Sequence, residues 1–280
     1  MTLDIMAVVL LGAVLHAAWN TLVRRAADKL LDTVLITSGA GLLTAVLLPA
    51  LPLPATESWP YLAASVLIHV IYFALVALAY HGSELSFAYP VMRGSAPVLS
   101  AVAVALLLNE TPTLGGWLGI LLVSGGVLLL ATDAWRSGKL RKGPTLLALA
   151  NAGVIAVYTL VDGQGARLSG HAFSYTGWMF LLTAVLLFGL ALALKGRRVI
   201  EHARHGWQRG LLGGASTLAS YGLALWAMTQ APIALVAALR ETSVVFAAIM
   251  AALFLAEPVT RLRVVSILTV AAGAVAIKIF

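Results

Sequence analysis

The chain has 280 residues, 61% hydrophobic and 10% charged, with a formal net charge of +7 and a mean hydropathy of +0.99. Soluble domains carry about 25% charged residues, so the composition excludes an ordinary soluble protein and points to a polytopic membrane protein. The absence of cysteine excludes disulfides and thiolate metal sites. The basic residues cluster in short loops, which reads as membrane orientation rather than nucleic-acid binding.

A membrane-crossing helix needs about 20 apolar residues. Windows of that kind predict ten spans, at 4–23, 32–52, 60–80, 85–108, 113–133, 144–161, 173–194, 208–228, 233–255 and 262–279. The first is read as a span and not a cleaved signal, because no basic start precedes it. It places His16, Trp19 and Asn20 on one face by i, i+3, i+4 spacing. His16 is the residue type that titrates near neutral pH, and Asn20 can bond a substrate or a neighbouring helix. Span three carries His69, Tyr72, Val76 and Tyr80 along a similar stripe, read as cavity lining against the alternative of packing.

Span four holds Tyr89, Pro90, Arg93 and Pro97. A guanidinium at the bilayer midplane costs about 2.5–3.5 kcal/mol, so it must pair or line a watery cavity. Arg can bind a carboxylate or phosphate through two parallel hydrogen bonds. The competing reading is an internal ion pair, for example with Glu241 or Glu84, or a contact with backbone carbonyls. Each proline frees an upstream carbonyl, which suits a kinked helix presenting Arg93 to a cavity, against the alternative of a kink that merely improves packing. Tyr158, Trp178, Tyr221 and Trp226 are weaker lining candidates. In span nine, Arg240 repeats the setting of Arg93, and Glu241 beside it is read as the deepest carboxyl in the sequence and a proton-coupling candidate, together with His16. Glu241 points about 100° away from Arg240 around the helix, so the two need not pair. Glu110 and Glu257 end spans four and nine and are expected to close turns or gate. His202 and His205 are expected in a solvated basic loop between spans seven and eight.

The halves match. At an offset of 147, Arg93 falls on Arg240, Ala101 on Ala248, Leu106 on Leu253, Glu110 on Glu257 and Gly126 on Gly273. The expected units are 1–134 and 144–280, each of five spans, joined by the basic linker 135–143. Five is odd, so the second half must be inverted relative to the first. The expected fold is therefore an all-α membrane protein, ten transmembrane helices as two inverted five-helix repeats. Inverted repeats suit alternating access around a midplane site. One set of alternate loops carries Arg24, Arg25, Lys29, Arg136, Lys139, Arg141, Lys142, Lys195, Arg197, Arg198, Arg204, Arg209, Arg261 and Arg263, whereas the other carries Arg167 and Lys278. By the positive-inside rule, both termini face away from the cytoplasm.

HAAWNTLVRRA (16–26), LLLNETPT (106–113) and LFLAEPVT (253–260) resemble the drug/metabolite transporter superfamily, in its EamA-type branch. The resemblance spans essentially the whole chain. It implies export of amino acids or other small metabolites, by exchange or proton coupling, with no cofactor.

These readings together predict a secondary transporter in the bacterial inner membrane that moves a small metabolite, an amino acid or organic anion, by alternating access. Arg93, Arg240, His16, Trp19, Asn20, His69, Tyr72 and Tyr89 are the expected substrate-binding residues. Partners are the substrate, the lipid bilayer and protons, with no nucleic acid. A flippase for lipid-linked cargo is the alternative, needing a lateral opening and a headgroup-sized cavity. An enzyme is not expected: HExxH and GxSxG are absent. No charged ring recurs as in a channel, and no P-loop supports ATP-driven transport.

Overall fold

The computed structural model describes residues 1–24, 28–82, 85–132, 142–255 and 260–279. Glu84, Glu257 and most of the linker 135–143 lie outside them, as do the side chains of Val76 and Tyr80. With no water in the hydrocarbon, backbone groups must bond within their own segment, and helices do this. The described residues form α1 (Leu3–Arg24), α2 (Lys29–Leu47), α3 (Trp59–Gly82), α4 (Leu85–Leu107), α5 (Leu114–Leu129), α6 (Lys142–Leu168), α7 (Ala172–Lys195), α8 (Arg197–Gln230), α9 (Ile233–Arg240), α10 (Ser243–Leu255) and α11 (Arg261–Ile279), with no strand among them. Nine described stretches are long and apolar enough to cross a membrane, one of them, Ile233–Met250, running through α9 into α10; the shorter Leu114–Leu129 completes ten.

Caps set the starts. Asp28 accepts the Leu31 amide at 3.0 Å, Thr113 that of Gly116 at 3.1 Å, and His171 that of Ser174 at 3.2 Å. Gly196, at φ 58°, takes the left-handed backbone that ends α7. Several boundaries depart from the hydropathy reading. The helix of span two stops at Leu47, where Pro49 enters a 3-10 turn. The helix of span six continues to Leu168, and that of span eight begins at Arg197. His202 and His205 therefore stand on a helix, not in a solvated loop, and His202 pairs with buried Asp32. Span nine is broken between α9 and α10.

The packing follows the repeat. If α1 to α5 correspond to α6, α7, α8, α9–α10 and α11, then α3 on α6 mirrors α1 on α8, and α2 on α8 mirrors α3 on α7. Likewise α4 on α6 mirrors α1 on α9 and α10, while α5 on α11 and α2 on α7 are their own mirrors. Reciprocal contacts of this kind are what a two-fold relation requires. Small residues permit the closest crossings. A Cβ on Gly39 would lie 2.1 Å from the Gly210 carbonyl oxygen, and one on Gly119 would lie 2.9 Å from that of Gly273.

Candidate functional site

The break in span nine sets the centre. The Glu241 amide reaches back three residues to Ala238 and the Thr242 amide to Leu239, so the backbone tightens for one turn before α10 starts at Ser243. Arg240 thereby ends α9 and Glu241 precedes the start of α10. A helix C-terminus carries partial negative charge and an N-terminus partial positive charge. Each side chain stands at the helix end of opposite sign. Local backbone geometry thus offsets part of the cost of two charges at this depth.

Arg93, on the proline-bearing α4, brings its Nε to 2.9 Å from Glu241 Oε2, with both side chains 5% exposed. The distance is that of an ion pair, but neither atom makes an aligned hydrogen bond, and Arg93 Nη2 has no partner either. Charge, more than directional bonding, holds this contact. Of the two carboxylates considered as internal partners for Arg93, the described one is Glu241. Arg240 makes no hydrogen bond or ion pair among the described residues; its guanidinium carbon lies 4.9 Å from the centre of the Tyr221 ring. A cation over an aromatic face gains about 2 kcal/mol or more when desolvated.

Tyr221 hydroxyl donates to Asp162, and Tyr175 hydroxyl donates to the other oxygen of the same carboxylate at 3.0 Å. Asp162 is fully buried, and Glu241 is 4% exposed. Asp162 was not among the sequence-derived candidates. This cluster brings together two of the buried carboxylates and two guanidiniums: Arg93 and Glu241 in contact, and Asp162 and Arg240 linked through Tyr221.

Aromatic rings fill the space around these charges. His69 stacks on Tyr158 at 4.7 Å and meets Tyr72 and Tyr221 edge-on; Tyr72 also packs on Tyr158 at 5.7 Å. His69 Nδ1 is within hydrogen-bond distance of the Ser65 carbonyl, at 2.9 Å. Tyr72, Tyr89 and Tyr158 are all within electrostatic reach of Arg93, and His16 is within reach of both arginines. The remaining first-helix candidates turn inward on their own helix: Trp19 Nε1 donates to His16 Nδ1 at 3.3 Å and Asn20 donates to the His16 carbonyl. They support His16 and leave it to face the cluster. Of the weaker candidates, Tyr158 and Tyr221 join the cluster, whereas Trp178 packs on Trp59 at 5.8 Å. Three further buried polar atoms lack partners: Ser124 Oγ, Asn151 Oδ1 and Ser243 Oγ. Asn151 donates its amide to Met92 sulfur, beside Arg93, and Ser243 opens α10.

Away from this cluster, Glu110 closes a turn. It pairs with Arg167, whose Nε and Nη2 also donate to the Met228 and Ala231 carbonyls at 2.8 and 3.1 Å, while the Ile233 amide donates to Glu110 at 3.4 Å. One ion pair therefore caps the end of α8 and the start of α9.

The sequence model of the EamA-like transporter family matches residues 4–132 and 143–279. No curated protein matches the chain. A solved crystal structure, described only as that of a protein, is similar at 17% identity, covering 99% of this chain and 96% of its own, with a TM-score of 0.74. At that identity the likeness is one of fold.

Proposed function

The chain belongs to the EamA-like transporter family of small-substrate membrane transporters, and from that premise we propose that it is a secondary carrier exporting a small carboxylate-bearing metabolite by alternating access. The substrate is an amino acid or an organic anion, and the membrane is a bacterial inner membrane with both chain termini on its non-cytoplasmic side. The single observation that supports this reading most is Arg240. It is a guanidinium at the break of a membrane helix, braced by the Tyr221 ring and without a carboxylate partner among the described residues. A substrate carboxylate supplies the missing charge. Broken spans at the repeat interface are where carriers of inverted-repeat design bind their cargo. In the proposed transport cycle, His16, His69, Tyr72, Tyr89 and Tyr158 line the space that opens beside Arg240. The Arg93–Glu241 pair is the coupling element, since a carboxyl that trades its ion pair for a proton links substrate movement to the proton gradient.

The test is thermal unfolding of the purified protein with a panel of amino acids and organic anions, on wild type and Arg240→Gln. A binding ligand at a hundred times its Kd stabilises the folded state by about 2.7 kcal/mol. We expect a carboxylate ligand to raise the melting temperature of wild type and to lose that effect in R240Q. A full ligand response in a folded R240Q would refute Arg240 as the anchor.

A further inference from the structure

An apolar groove of about 360 Å³ runs between α2, α7 and α8, away from the charged cluster. We propose that it binds an anionic phospholipid, with one acyl chain lying in the groove and the phosphate held at its basic rim.

The walls are hydrocarbon: Leu31, Leu35 and Leu42 from α2, Phe188 from α7, Val199 and Leu211 from α8. The seam between α2 and α8 is drawn close where Gly39 meets Gly210, which leaves a trough beside it. Leu31 to Leu42 is eleven helical steps, about 16 Å, the length of a chain and not of a compact solute.

The rim differs from the walls. At 34 residues α8 is about 51 Å long, against a hydrocarbon core of about 30 Å, so part of this helix must stand outside the core. Its N-terminal part is the basic one. Segment 195–209 carries Lys195, Arg197, Arg198, Arg204 and Arg209 against Glu201. Asp32 already takes Arg209 and His202. The other four cations have no ion pair among the described residues, and each is exposed. Arg204 lies one turn before Trp207, a groove-lining indole 56% exposed, and two turns before Leu211, so rim charge, interfacial indole and apolar wall follow one another along one face.

That order, cation then indole then hydrocarbon, is complementary to an amphiphile whose head is negative. Each Lys or Arg near an anionic lipid surface contributes about 1 kcal/mol. A soluble anion would match the rim but leave the groove uncovered; a neutral lipid would match the groove but leave the rim unpaired.

The experiment compares phosphatidylglycerol, phosphatidylcholine and inorganic phosphate added to the delipidated protein in neutral detergent, reading melting temperature and lipid retained in native mass spectra. Phosphatidylglycerol is expected to raise the melting temperature and to remain bound. Phosphatidylcholine is expected to do so far less, and phosphate not at all. Replacing two rim cations in Arg197→Gln/Arg204→Gln should weaken phosphatidylglycerol binding about thirty-fold, the equivalent of about 2 kcal/mol. Ala203→Trp, which fills the groove, should abolish retention; Leu42→Trp, on its exposed wall, serves the same purpose if A203W does not fold. Equal responses to the two lipids, a shift reproduced by phosphate alone, or an undiminished preference in R197Q/R204Q would each overturn the proposal. So would a groove-filling variant that changed the oligomeric mass and left lipid retention intact, since the groove would then be an interface between copies.

Discussion

Glu241→Gln should be the most damaging conservative change within the charged cluster. Glu241 and Arg93 are each about 5% exposed at the side chain and 2.9 Å apart. Removing one partner of a buried pair costs about 3–5 kcal/mol, because the other charge stays buried without compensation. The contact lacks an aligned hydrogen bond, which places the expected loss at the lower end, about 3 kcal/mol. Arg93→Met should cost less, about 2 kcal/mol, because Glu241 is also within electrostatic reach of Arg240. The double variant removes both charges and leaves the interior balance unchanged, so it should cost about 2 kcal/mol, mostly lost packing, and show a coupling of about 3 kcal/mol. At about 2–4 °C per kcal/mol for a chain of this size, E241Q should melt about 6–12 °C below wild type. The seven tryptophans provide an intrinsic fluorescence readout in detergent. Additive single and double variants, with coupling inside about 0.5 kcal/mol, would refute the pair as an energetic unit.

Two further outcomes follow from the packing. Tyr221→Phe and Tyr175→Phe each remove one hydroxyl from the fully buried Asp162; each should cost about 1.5–3 kcal/mol in thermal unfolding, as bonds to charged groups do, and Y221F should keep the ring under Arg240. Gly214→Ala should prevent normal folding, read as loss of monodisperse protein on size exclusion, because its Cβ would lie 2.4 Å from the Ala40 backbone nitrogen; Gly125→Ala, with nothing within 4 Å, should behave as wild type.

The sequence made the ten spans legible because hydrocarbon thickness imposes a length that hydropathy detects directly. It also exposed Arg93 and Arg240, whose cost in lipid makes them conspicuous. Asp162 escaped notice for a physical reason. The apolar window ended at 161, just before the charge, whereas α6 continues to Leu168 and carries Asp162 inside. The groups that make its burial tolerable, Tyr175 and Tyr221, are 13 and 59 residues away, and no local pattern announces them. The helical start of α8 was missed for the converse reason: hydropathy registers the part of a helix that lies in hydrocarbon and is silent about a cationic turn outside it. Asp32 and His202 stand 170 residues apart in sequence, so their pairing is a product of the fold alone.

The two charged spans also show how a repeat can be symmetric in placement and asymmetric in mechanism. At equivalent positions, α4 relaxes its backbone with Pro90 and Pro97 while remaining one helix, whereas its counterpart divides outright after Arg240. Prolines free carbonyls but supply no new helix ends. A full break supplies two, and their dipoles favour a cation at the end of α9 and an anion at the start of α10. Arg240 and Glu241 thus stand where local backbone holds them, while Arg93 relies on Glu241 from across the interface. Rocking one half against the other would stretch the Arg93–Glu241 contact before it disturbed Arg240, whose Tyr221 brace belongs to the same half. On the proposed mechanism, the anchoring charge would travel with one half of the molecule, and the ion pair that spans the two halves would report the conformational change.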